Sequence, residues 1–272
     1  MWVEIHPTSI PMNEINIWDI KPKPHEDFEI RICVMDTIGI KMMDAEGTSD
    51  VYCRGYFDSK EQVKETDTHY RCQNGKASFN YRLLFDLKHP RKDYTFSLQV
   101  YDRDFFKSND IIGECTLNIE KAVEDCSLTG RPICINKDYY TDYMEKPGGV
   151  QLKFKDKETF WMPVMNRENG KMVENGKVRL RIDIYPKKMA EASKVGAARD
   201  EPNTNPFLSP PIGRLQFSLN PWKMFNQLVG PAMRRKIYCY ICMALCCALC
   251  VMLAPLIIGN LISLLFAKLF GL

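Results

Sequence analysis

The sequence predicts an all-β fold, an antiparallel β-sandwich, followed by a linker and one C-terminal transmembrane helix. Three observations carry that expectation. Several segments between Phe28 and Tyr185 alternate apolar and polar residues with period two, the signature of half-buried strands. Turn residues separate them at short intervals, and no comparable helical stripe interrupts the series. Finally, Ile237 to Phe266 runs thirty residues without one charged side chain, which reads as a membrane segment.

Residues 1–27 are expected to be the remnant of a preceding domain and a linker. "WVEIHP" at Trp2–Pro7 repeats "RIDIYP" at Arg181–Pro186 in apolar pattern, acidic position and terminal proline. The final strand of one sandwich would then recur at the end of another, and the chain would be the C-terminal part of a longer multi-domain array.

The sandwich itself is expected over residues 28–188. Phe28, Ile30, Ile32 and Val34 alternate with Glu29 and Arg31; Phe79, Tyr81, Leu83 and Phe85 with Asn80 and Arg82; Tyr94, Phe96, Leu98 and Val100 with Thr95, Ser97 and Gln99. The last strand sets Val178, Leu180, Ile182 and Ile184 against Lys177, Arg179, Arg181 and Asp183. Its basic outer face is either a solvated strand face or a positive stripe that attracts anionic lipid headgroups.

Beyond Pro186, residues 189–219 read as a Pro/Asn-rich linker, "RDEPNTNPFLSPP" at its centre. Residues 220–236 follow as a juxtamembrane interfacial helix and basic flank: Asn220-Pro221 is a helix start, with Trp222, Phe225, Leu228 and Val229 on one face. The apolar run would make a helix of about 45 Å at ~1.5 Å per residue, longer than the roughly 30 Å hydrocarbon core of a bilayer. With a kink or exit expected at Pro255, Gly259 and Asn260, the span is placed at 237–258 and a short tail at 259–272. Arg234, Arg235 and Lys236 precede the span while only Lys268 follows it, so the positive-inside bias makes this a single-pass protein with a cytoplasmic N-terminal part.

Cysteine usage agrees with a reducing compartment. Cys33, Cys53, Cys72, Cys115, Cys126 and Cys134 are scattered without zinc-type spacing. Cys239, Cys242, Cys246, Cys247 and Cys250 lie in the apolar run as small packing residues, with acylation of Cys239 as an alternative.

Two loops carry the candidate chemistry. "MMDAEGTSDVYCRGYF" supplies Asp44 and Asp50 after the first strand, and "VYDRDFFKSNDIIGE" supplies Asp102, Asp104 and Asp110 around Phe105 and Phe106. Loops joining different strand pairs can gather at one end of a sandwich. Each close carboxylate pair costs on the order of 4 kcal/mol at an effective dielectric of 20, so five together call for a cation. Oxygen-only ligands on flexible loops suit calcium better than magnesium. A set of solvated turns is the alternative.

The spacing of these five residues resembles the loops of calcium-binding C2 domains, in which two aspartates flank a Gly-Thr-Ser turn and a "YDxDxxxxxD" loop precedes Ile-Gly. Asp44, Asp50, Asp102, Asp104 and Asp110 occupy all five positions, Gly113 follows, and Val51 departs from the usual proline. Together with "TDTHYRCQNGKASFNYRLLF" at Thr66–Phe85, "SDVYCRGYF", and "RDEPNTNPF" before a basic flank and terminal span, nearly the whole chain is similar to the C-terminal end of a ferlin.

That resemblance implies an eight-stranded C2 sandwich of the permuted, type II topology, with calcium held by the five aspartates. It implies calcium-dependent phospholipid binding in vesicle docking, membrane fusion or repair, at a vesicle or plasma membrane. The implied partners are an anionic phospholipid membrane and membrane-fusion proteins. Phe106, which matches the inserting position best, would enter the lipid interface, Phe105 either entering beside it or packing under the loop, and Lys177, Arg179 and Arg181 would meet headgroups. A calcium-independent scaffold that binds protein partners is the alternative function.

No enzyme is expected. His6, His25, His69 and His89 are scattered, and neither a nucleophile elbow nor a phosphate-cradling glycine loop occurs, which also leaves no small-molecule substrate. Nucleic acid is not expected either, since the net charge of +3 includes the juxtamembrane cluster.

Overall fold

The computed structural model describes residues 5–11, 24–44, 47–57, 62–104, 108–144 and 152–271. Its strands are β1 (Glu26–Ile38), β2 (Thr48–Tyr56), β3 (Lys64–Glu65), β4 (His69–Gln73), β5 (Ser78–His89), β6 (Thr95–Asp102), β7 (Asp110–Asn118), β8 (Ile133–Cys134), β9 (Lys153–Phe154), β10 (Phe160–Glu168) and β11 (Lys171–Pro186). With the two-residue strands β3, β8 and β9 set aside, eight remain. They form two antiparallel leaves, β4-β2-β6-β7 and β10-β11-β1-β5, linked in strand register by one residue pair, Met165 with Glu114. The expected eight-stranded sandwich is therefore present, and β1 lies between β11 and β5 as in the type II order.

Alternation places the core. Ile30, Ile32 and Val34 of β1 point inward with Leu83 and Phe85 of β5, Phe96, Leu98 and Val100 of β6, and Leu180, Ile182 and Ile184 of β11, all essentially inaccessible. Each such side chain contributes roughly 1.5–3 kcal/mol by leaving water. Phe57, Phe85 and Phe96 join the leaves through ring contacts with centroids 5.3–5.9 Å apart.

One helix was not foreseen. α1 (Glu120–Thr129) follows β7 and turns Ala122, Val123 and Cys126 into the core, ending at Gly130 in the left-handed region. Its apolar stripe is only three residues wide, too short to register against the strand pattern. A second turn, α2 (Lys137–Tyr139), is capped by the Asn136 side chain.

Strand direction sorts the connections into two poles. Residues 39–44 and Gly47, the turn at 74–77, residues 103–104 and 108–109, and the β10–β11 turn at Asn169-Gly170 lie at one end, the loop pole. Gly75 builds this pole: with φ +66° it accepts the left-handed conformation, and a Cβ there would lie 2.2 Å from the Ile40 nitrogen. Residues 90–94 and the end of β11 lie at the opposite pole.

The segment after β11 does not run free. α3 (Lys187–Ala192) leaves the opposite pole, and residues 193–214, within the expected linker, are laid along the outer face of β1 and β5. Two arginines hold the strap. The buried Arg31 guanidinium donates to the Ser193 carbonyl at 2.8 Å and to Glu29 at 2.8 Å, and stacks 3.8 Å from the Tyr185 ring. Arg82, 2% exposed, donates to the carbonyls of Gly196 (3.0 Å), Thr204 (2.9 Å) and Pro206 and to Asn203 Oδ1 (3.1 Å). Higher up, Asn80 reaches Pro210, Ser78 bridges Ile212, and the Tyr70 amide donates to Gly213. Buried arginines need carbonyl acceptors, and the strap supplies them.

α4 (Pro221–Leu228) starts at Asn220, whose side chain accepts from the Trp222 and Lys223 amides as the Asn-Pro signal predicts. α5 (Pro231–Phe270) then runs forty residues, unbroken through Pro255. The span expected at 237–258 is thus part of one longer helix, and Met233–Phe270 is long and apolar enough to cross a membrane. Of the repeat at Trp2–Pro7, only Ile5, His6 and Pro7 lie within the described residues, and they form no strand.

Candidate metal centre

The five aspartates stand at the loop pole. Asp50 and Asp102 are joined directly: the Asp50 amide donates to Asp102 Oδ1 at 2.6 Å, and the Arg71 amide donates to Asp50 Oδ1 at 2.7 Å. Asp102 faces Asp110 across the β6–β7 ladder as its last registered pair. Asp44 closes its own loop, accepting from Gly47 N at 3.0 Å and, through Oδ2, from the Thr48 hydroxyl at 3.3 Å. The Asp104 amide is held by Asn109 Oδ1 at 3.1 Å, and Asn109 also donates to the Tyr52 hydroxyl at 2.9 Å.

Electrostatics record how near these groups are. Burial pushes the Asp102 carboxyl up to about 6, and the neighbouring charges of Asp44 and Asp50 add to the shift against the Asp50 amide, which opposes it. Asp50 is likewise raised, by burial first, with Asp44 and Asp104 contributing. The pole therefore concentrates negative potential that a cation would relieve.

The donor chemistry suits a hard cation, being all oxygen. Among the described residues, however, no three His, Cys, Asp or Glu side chains are grouped tightly enough to hold a metal ion as they stand. Phe105 and Phe106 lie outside the described residues. Lys177, Arg179 and Arg181 are on the expected face of β11, but each is beside a carboxylate: Lys177 with Glu174 at 3.3 Å, Arg179 with Asp36 at 2.6 Å, and Arg181 with Asp183 at 2.9 Å and with Glu158. The stripe is largely neutralised, which leaves it little attraction for headgroups.

Three supporting residues escaped sequence reasoning. Ser49 accepts the Met43 amide at 2.8 Å, Asn109 braces the second loop, and Arg71, at φ +53°, brings its amide to Asp50. Ser49 and Asn109 each directly precede an aspartate, the one signal that could have marked them.

Residues 28–131 match the C2 domain family model. Myoferlin of Xenopus tropicalis is 28% identical over 247 residues, covering 78% of this chain, and Ferlin 2 of Tetrahymena thermophila is 30% identical over 203 residues, covering 70%. The chain is a ferlin-family C2 region. It spans 12% of the length of that myoferlin and 10% of that Ferlin 2. A solved C2 domain from plant extended synaptotagmin 1 aligns with a TM-score of 0.38 at 15% identity, covering 58% of this chain and 94% of that domain. As a ferlin region, the chain joins a C2 sandwich to one helix, among the described residues, that is long and apolar enough to span a membrane.

Proposed function

We propose that this ferlin region is a membrane-anchored calcium sensor whose loop pole binds anionic phospholipid, in vesicle docking, fusion or membrane repair. The observation that carries the reading is the gathering of carboxylates at one pole: the Asp50 amide binds Asp102 Oδ1 at 2.6 Å, Asp110 pairs with Asp102 across the β6–β7 ladder, and burial first, then the charge of Asp44, raises both Asp50 and Asp102. Asp44, Asp50, Asp102, Asp104 and Asp110 would hold calcium. The ion would supply positive charge that cancels the acidic field and offers coordination sites to headgroup oxygens. This chain's own residues orient the ligands: backbone amides of Asp50 and Arg71 fix two carboxylates, and Asn109 braces the second loop.

Among the described residues, apolar side chains stand at the same pole: Met172 and Val173 flank the tip of the β10–β11 hairpin, Met172 being 63% exposed. Phe105 and Phe106, next to Asp104 in sequence, would add to them. Arg234, Arg235 and Lys236 in the first turns of α5, against Lys268 near its end, orient the sandwich to the cytoplasm. No catalytic role is proposed.

Co-sedimentation of residues 1–220 with phosphatidylserine liposomes tests the reading. Binding in calcium that is lost in chelator is expected. Equal binding in both conditions would favour the scaffold function instead.

A further inference from the structure

We infer that the loop pole faces the same bilayer that holds α5, so that the aspartate loops meet lipid in cis and do not reach across to an opposing membrane. The lipid contact rests on the proposed reading of those loops; the orientation rests on the path of the chain.

β11 ends at Pro186, at the pole opposite the aspartates. An anchor attached there would direct the loops away from its own membrane, across a sandwich about 40 Å tall, given the twelve residues of β5 at ~3.3 Å each. The strap reverses this. Its contacts climb β5 in order: Arg82 with Thr204, Asn80 with Pro210, Ser78 with Ile212. The chain reaches the loop pole at Gly213, and α4 begins at Pro221.

There the anchor is tied down next to the candidate metal centre. Arg71, whose amide binds Asp50, donates through Nη1 to the Asn226 carbonyl of α4 at 2.6 Å, and Asn226 Oδ1 accepts from Arg234 in the first turns of α5 at 2.9 Å. Asn226 thus connects the aspartate loops to the membrane helix through two hydrogen bonds. Phe217, Leu219 and Trp222, 86%, 91% and 64% exposed, lie between the strap and α5, where side chains of this kind sit at a membrane interface. A free tether of the same length would permit either orientation; a strap bonded along its length permits one.

The test uses the full chain reconstituted in phosphatidylserine-containing vesicles that carry an energy acceptor at the bilayer surface. A fluorescent amino acid is encoded at Lys171, at the hairpin tip, or at Lys92, at the opposite pole; both are exposed. Transfer several-fold stronger from Lys171 than from Lys92 is expected in chelator, strengthening at Lys171 in calcium without clustering of protein-free acidic vesicles. Stronger transfer from Lys92, or transfer from Lys171 chiefly to acceptor placed in the protein-free vesicles, overturns the inference. A Lys171 preference that ignores calcium upholds the orientation while the calcium reading fails. Inserting about twenty Gly/Ser residues after Leu215, beyond the strap contacts, is expected to abolish the preference in chelator; a preference that survives the insertion overturns the role of the strap.

Discussion

Asp102 shows how a single carboxylate serves a loop at the expense of the fold. Its pKa is raised to about 6 from 3.8, by burial first and then by neighbouring carboxylates. A raised carboxylate favours the protonated native state, so the unfolded chain binds fewer protons between about pH 4 and 6 and stability falls as pH rises through that window. Above pH 6 the penalty is complete. Asp102→Asn keeps an oxygen for the Asp50 amide but removes the charge. In chelator at pH 7 the variant should be more stable than the parent by on the order of 1–3 kcal/mol, with the difference gone near pH 4, as chemical denaturation can measure. Calcium should raise the parent's midpoint and leave the variant's unchanged. A variant less stable than the parent in chelator would show that the carboxylate is a structural acceptor and no more.

At the scale of elements, the period-two pattern was sufficient to locate β1, β5, β6 and β11, because a one-residue slip would turn Ile30, Ile32 and Val34 to solvent. Loop positions follow from strand ends, which is why the aspartates were legible. The strap was not. Arg31 and Arg82 occupy polar positions of their strands, and nothing local distinguishes an arginine facing water from one facing carbonyls of residues 193–206. Ending the chain after Lys188 should therefore lower stability by on the order of 2–4 kcal/mol, from lost charge-assisted hydrogen bonds and the burial of Ala190 and Leu208. Ending it after Leu215 should cost little, and equal unfolding midpoints for the two truncations would show the strap to be incidental. The β10–β11 hairpin makes a second element-scale prediction. Asn169 (φ +50°) and Gly170 (φ +79°) form a tight turn of the hairpin type, and Arg167 and Lys171 flank Met172 with no ion pair among the described residues. Met172→Glu with Val173→Glu should reduce partitioning onto phosphatidylserine liposomes several-fold while leaving the calcium-induced rise in thermal midpoint intact.

Over the whole molecule, two facts of length decide how sandwich and anchor cooperate. α5 is forty residues, about 60 Å at ~1.5 Å per residue, so it exceeds a bilayer core of roughly 30 Å and must tilt or project. α4 has eight residues, too few to hold a helix alone in water, so it needs its neighbours. Arg71 is the described neighbour that joins it to the aspartate loops, and it does so with separable parts: the amide serves Asp50, the guanidinium serves Asn226. Arg71→Ala retains the first bond and deletes the second. In the full chain held in lipid nanodiscs, that variant should keep its calcium-induced rise in thermal midpoint while the amides of residues 221–228 lose hydrogen-exchange protection by about tenfold, the equivalent of one charge-assisted bond of ~1.4 kcal/mol. If those amides stay protected, the bilayer alone orders α4, and the coupling between the aspartate loops and the anchor does not pass through Arg71.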